Sequence, residues 1–353
     1  MNRVGNPWSE TRIWNGGAFA LERGGHLARL EVAYATAGSL APDGRNAVLL
    51  THGYTSSHRF AQPAADGAEG GWALLVGPGR AVDTDRLFVV APNMLGSCYG
   101  TSGPKSTDPA TGRPYGPTFP EYTVADMVRG QKALLDALGV RHLRAVVGPS
   151  YGGFQAFQWA VTFPDFMSGI VAAVTALQPP HDENVNTAAD LARSFAEDPG
   201  WNGGHCYPDG IKATMTKLRV GTLKSYGIEA RLAPAYPDAA ARERAIGAIA
   251  AAWAAEFDPN SLIVLRRALD FYDIKPDVGR IRAKVLYAIS RTDRLFPPTL
   301  EGPTMALLRQ AGVDATYKLI DSELGHSASG DDAAKWEAAL REFMARLAPG
   351  DPR

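Results

Sequence analysis

Residues 143–153 read LRAVVGPSYGG, and the rest of the chain can be ordered around them. Largely apolar residues ending in Val146 and Val147 run into Gly148, Ser150 follows with a glycine two residues to either side, and Gly153 comes next. Phe154, Phe157 and Val161 then recur at helical spacing. The stretch therefore reads as strand, sharp turn and helix, with a serine at the apex. Gly148-Pro149-Ser150-Tyr151-Gly152 is a G-x-S-x-G nucleophile elbow. Such a turn holds its serine in strained backbone geometry, so its neighbours must be small. A glycine-containing β-to-α turn whose serine merely caps a helix has the same signature, and the chain on either side has to separate the two.

Towards the N-terminus, residues 27–38 alternate in part and predict antiparallel strands at a sheet edge. Residues 46–52 (NAVLLTH) and 86–92 (RLFVVAP) are short apolar runs that predict buried strands. The first ends in THGYTSS, where a His-Gly turn can aim a backbone N–H, that of Tyr54, at a reaction centre. An ordinary strand-end turn is the alternative. Ten of the 28 residues from Asn93 to Pro120 are Gly or Pro, so this segment is a long loop. Thr123 to Asp126 resembles a capping box opening a helix that ends near Gly139.

Towards the C-terminus, strands are expected at 169–177, 284–290 and 315–320, a helix at 304–311 and an amphipathic helix bearing Trp336, Leu340, Phe343 and Leu347. Residues 178–280 read as helices alone: 187–197, 211–226, 239–256 and 261–271. The expected fold is α/β, a mostly parallel central sheet with helices on both faces. Residues 1–177 and 281–353 form its core, and 178–280 form an inserted helical lid or a dimer interface.

This alternation predicts the order nucleophile, acid, histidine. Asp293 lies three residues beyond the strand at 284–290, and His326 lies six beyond that at 315–320. Both therefore sit at C-terminal strand ends, where α/β folds gather their sites. Ser150, Asp293 and His326 form the expected triad: His326 takes the serine proton, and Asp293 orients the imidazole. The N–H groups of Tyr54 and Tyr151 are the expected oxyanion donors. Asp321 and Glu323 are rival acids, Cys98 is a rival nucleophile, and His52 is expected to be structural.

The 353 residues are 45% hydrophobic and 21% charged with net charge −1, which argues against nucleic acid or an anionic membrane as the main partner. No apolar run reaches the ~20 residues of a membrane span, and the N-terminal residues carry no apolar signal core, so a cytoplasmic protein is expected. Two cysteines, Cys98 and Cys206, supply neither a disulfide framework nor a metal cluster. No cofactor and no metal are expected.

Residues 77–140, 148–165 (GPSYGGFQAFQWAVTFPD), 198–204 (DPGWNGG) and 293–298 (DRLFPP) resemble the homoserine O-acetyltransferase family of α/β-hydrolases. The resemblance implies the α/β-hydrolase fold, a helical lid that often mediates dimerisation, and acyl transfer through an acyl-serine. Two departures concern the acceptor. Ser327 stands where the family's transferases carry an aspartate after the histidine, and a lid arginine pattern aligned on Gly210 falls on Met215, with Lys217 and Arg219 close by. The elbow GPSYGG resembles the family's esterase branch. On these grounds the expected activity is hydrolysis of short-chain esters, acetates first, by a homodimer taking a small-molecule ester. The alternatives are acyl transfer from acyl-CoA to homoserine or another alcohol, and a non-catalytic scaffold.

Overall fold

The computed structural model describes residues 6–63, 71–180 and 187–347. Among them, eight strands form one sheet: β1 Arg12–Asn15, β2 Glu31–Ala37, β3 Ala47–Leu50, β4 Phe88–Pro92, β5 Leu143–Pro149, β6 Met167–Ala173, β7 Lys284–Ser290 and β8 Ala315–Ile320. Their spatial order is β1-β2-β4-β3-β5-β6-β7-β8. β1 and β2 are antiparallel to their neighbours, and every pairing from β4 to β8 is parallel. The expected antiparallel edge is thus present.

The central strands are buried on both faces, so they read as continuous apolar runs rather than alternating ones. Leu49, Ile170, Val285 and Tyr287 face a core layer containing Val128 and Leu135 of α1 (Val124–Ala137) and Phe154 and Phe157 of α2 (Tyr151–Thr162). Val48, Leu50, Val171, Leu286 and Ala288 face the opposite layer, where Trp72 meets Trp336 edge-on at 5.5 Å. α1 opens on the expected capping box: the Asp126 N–H donates to Thr123 Oγ1 (3.2 Å) and the Thr123 N–H to Asp126 Oδ2 (2.9 Å). This satisfies two orphan donors of the first turn.

Between β6 and β7 the chain inserts α3 (Ala188–Ala196), α4 (Lys212–Ser225), α5 (Ile228–Leu232), α6 (Ala239–Glu256) and α7 (Pro259–Ala268). α4 and α6 share a small core of their own with α5, built on Leu223, Ile228, Ile246 and Ala250. After β7 come α8 (Glu301–Gln310), α9 (Ala328–Asp331) and α10 (Glu337–Arg346), the last packing Leu340 and Phe343 under the sheet. No helix among the described residues is long and apolar enough to cross a membrane.

Candidate active site

Ser150 stands at the tip of β5 with φ 55° and ψ −121°, a conformation that L-residues adopt only when the surroundings impose it. Its N–H donates to Ala173 O (2.8 Å), and its carbonyl accepts from Thr175 Oγ1 (2.8 Å). The flanking glycines are required by close approach. A Cβ on Gly148 would lie 2.2 Å from Thr51 Oγ1, and one on Gly152 would lie 2.1 Å from the Thr51 carbonyl oxygen. Val174, just past β6, is also held at positive φ (45°) and borders the same space as Ser150. Two strained non-glycine residues at one spot are what a built site, rather than a simple helix cap, requires.

Asp293 and His326 come together in space. His326 Nδ1 donates to Asp293 Oδ2 at 2.8 Å, and Asp293 Oδ1 accepts from the N–H groups of Leu295 (2.8 Å) and Phe296 (3.0 Å). Both residues are buried. A carboxylate held by these bonds fixes the imidazole with its Nε2 turned away from Asp293. His326 and Ser150 line a common cavity of about 70 Å3. The ring of Phe296 stacks on His326 at 5.5 Å and that of Tyr226 lies at 4.8 Å. The rival acids lie elsewhere: Asp321 and Glu323 are exposed and both pair with Arg291. Cys98 is no better placed, because burial pushes its thiol up to about 12, far from a thiolate at neutral pH.

His52 is buried, and burial holds it down to about 3 against an ordinary 6.5. Its Nε2 accepts the Met94 N–H (3.0 Å), so the proton sits on Nδ1, which donates to Gly53 O (2.9 Å). A neutral His52 thereby braces the turn that carries Tyr54. Tyr54 and Tyr151 stack face to face at 6.0 Å beside Ser150. His58 bonds to Thr11 and His142 to Ser168, and His181 falls outside the described residues.

A second, larger cavity of about 190 Å3 also borders Ser150. Its walls are largely apolar (Tyr54, Phe154, Leu191, Leu262, Leu295), and two guanidiniums, Arg219 and Arg266, stand among them. Arg219 is almost fully buried: it donates to Thr55 Oγ1 (3.0 Å) and lies over the Trp253 ring at 4.7 Å. Aligning the lid pattern on Gly210 missed this residue. Met215, where the pattern points, is buried away from this cavity, and Lys217 is exposed on α4. The arginine stands one helical turn beyond Met215. A sequence signal was available, since Met215, Arg219 and Leu223 follow at i, i+4, i+8 and a cation on an otherwise apolar stripe calls for a reason. Arg266 bonds to Asp270 (3.0 Å) and was not singled out from the sequence.

Comparison with known proteins bears on the family and the fold. Residues 46–331 match the alpha/beta hydrolase fold family. A homoserine O-acetyltransferase of Haemophilus influenzae is 36% identical over 345 residues, 91% of this chain and 94% of that protein. One from Symbiobacterium thermophilum is 37% identical, covering 93% and 92%. Among solved structures, homoserine O-acetyltransferase from Bacillus anthracis superposes with a TM-score of 0.86 at 26% identity, covering 97% of this chain and 99% of that one. Esterase E22 gives 0.82 at 26% identity, covering 95% and 99%.

The expectation of an ester hydrolase is corrected here. The relatives at 34–37% identity are acetyltransferases, whereas the esterases among the solved structures resemble the chain at 27% or less. The physical ground for that expectation also weakens, because the cavity beside Ser150 does contain a buried arginine. The chain belongs to the homoserine O-acetyltransferase family of the α/β-hydrolase superfamily of enzymes.

Proposed function

We propose that this protein is an acyl-CoA-dependent O-acyltransferase that moves an acetyl group onto the hydroxyl of homoserine or of a related alcohol bearing a carboxylate. The observation that carries the reading is Arg219, a buried guanidinium in the wall of the cavity that Ser150 borders. A guanidinium that lines the cavity can pair with the carboxylate of a ligand. A simple alkyl ester has no such group. The similarity to acetyltransferases along more than nine-tenths of the chain supports the same reading.

The reaction runs in two halves. Ser150 Oγ attacks the thioester carbonyl while His326 takes its proton, and the N–H groups of Tyr54 and Tyr151 stabilise the oxyanion. The tetrahedral species collapses, the C–S bond breaks, and His326 returns the proton to the departing CoA thiolate. The acceptor then enters with its carboxylate on Arg219. His326 removes its hydroxyl proton, the oxygen attacks the acyl-serine, and collapse releases the new ester and returns the proton to Ser150. Asp293 stabilises the imidazolium in both halves.

Steady-state kinetics with acetyl-CoA and homoserine test this. CoA release should depend on homoserine. Arg219→Met should raise the KM for homoserine by roughly 10- to 100-fold, the worth of a charge-assisted hydrogen-bonded pair, and leave the KM for acetyl-CoA nearly unchanged. An unchanged homoserine KM in Arg219→Met would contradict the assignment.

A further inference from the structure

The two residues whose backbone N–H groups are assigned to the oxyanion are both tyrosines, and both phenols reach the same inserted helix. Tyr54 OH donates to the Leu262 carbonyl at 2.5 Å, and Tyr151 OH donates to the Leu265 carbonyl at 3.0 Å. These acceptors lie three residues apart on α7, almost one turn, so they are displaced along the helix axis on one face. The two rings run parallel, 6.0 Å apart and inclined by 14°. They form a pair of struts between the core and α7. One strut rises from the turn after β3 and the other from the first residue of α2, immediately after Ser150.

Simple packing does not call for this arrangement. Leu262 lies inside α7, where a carbonyl has a helical N–H partner and its second lone pair is normally left to water, whereas Leu265 is among the last four residues of α7, whose carbonyls lack an i+4 donor and need an outside partner. Both carbonyls are taken by phenols whose backbones lie beside Ser150. Burial raises both phenols far above their ordinary range, so they remain O–H donors at every pH at which the protein works. α7 also supplies Leu262 and Arg266 to the larger cavity, so the helix that pins the tyrosines is the one against which a ligand would rest.

We infer that Tyr54 and Tyr151 are positioning residues, whose hydroxyls use the backbone of α7 as a template to hold the two oxyanion N–H groups at the spacing a tetrahedral oxygen needs. This rests on the acyl-serine reading of Ser150 given above. An oxyanion hole works because its donors are fixed before charge develops, and a misplacement of about 1 Å can cost two orders of magnitude. The inserted helices therefore complete the reaction centre as well as covering it.

The test uses Tyr54→Phe, Tyr151→Phe and the double variant in the full-length protein. Phenylalanine keeps the ring, volume and stacking and removes the hydroxyl strut. The account predicts that each single variant lowers kcat for acyl transfer about tenfold, within the range for a misaligned donor. The KM for homoserine and the pH profile of kcat/KM should stay where they are. The affinity for ethylboronic acid, which forms a tetrahedral adduct on a nucleophilic serine, should fall by the same factor as kcat. Wild-type kcat and boronate affinity in both single variants would overturn the inference. So would a loss of activity that follows the thermal midpoint or the KM instead of the boronate affinity. Ser150→Ala separates the two levels of the argument. If it still transfers acyl groups, the acyl-serine reading falls and the inference with it. If it is inactive while the phenylalanine variants behave as wild type, only the inference falls.

Discussion

Asp293 and His326 could be found from sequence because each closes a strand, and strand ends are visible as the point where an apolar run stops. Arg219 could not be found by counting from Gly210, because a helix brings i and i+4 to one face and a four-residue offset leaves the surface pattern intact. His52 was legible only as structural, and its geometry gives it a measurable consequence. Folding drops its proton affinity from an ordinary 6.5 to about 3. The unfolded chain therefore binds more protons between these values, and stability must fall as pH is lowered through that window. His52 should contribute up to ~1.4 kcal/mol of lost stability per pH unit, most clearly between pH 6 and 4. Urea midpoints over that range should fall in wild type and fall less steeply in His52→Gln. Equal slopes would show that the buried imidazole is not the group responsible.

At the scale of elements, the central strands and the helices around them follow the apolar runs closely, and the departures have local causes. β1 was not foreseen because RIWN is short and mostly exposed, with its pairing to β2 as its main support. The strand expected over 169–177 ends at Ala173, since Val174 turns out of the sheet at positive φ next to Ser150. The meeting of α4 with the histidine loop is invisible in sequence because it is made by backbone. Ser327 N–H donates to the Tyr226 carbonyl (3.3 Å), and Gly227 (φ +96°) and Gly325 (φ +59°) face each other so closely that a Cβ on Gly227 would lie 2.7 Å from the Leu324 carbonyl oxygen. Arg231 and Asp331 add an ion pair at 3.5 Å between α5 and α9. Gly227→Ala should therefore strain the backbone by about 1–2 kcal/mol and push the loop that carries His326. A lower thermal midpoint together with a kcat reduced more than tenfold is the expected result. Full activity would show that this contact does not set the histidine.

Across the whole molecule, the C-terminal end of the sheet collects Ser150, Asp293 and His326 from three strand ends, while the inserted helices supply the arginines and hold the tyrosines. The strained turn at Ser150 was legible because it needs a rare sequence. The choice between water and an alcohol as the final acceptor was not, because both use the same three residues and differ in a cavity assembled from α4, α6 and α7. Ser327 in place of an aspartate pointed towards water, whereas the acetyltransferase relatives point towards an alcohol, and the place of Arg219 in the cavity wall, one turn beyond the position counted from Gly210, is visible only in three dimensions. The direct measurement is the fate of the acyl-enzyme. Protein mixed with acetyl-CoA alone, followed by intact mass spectrometry, should carry one acetyl group on Ser150 that persists until homoserine is added and then leaves as O-acetylhomoserine. Discharge to free acetate at the same rate with and without homoserine would contradict the account.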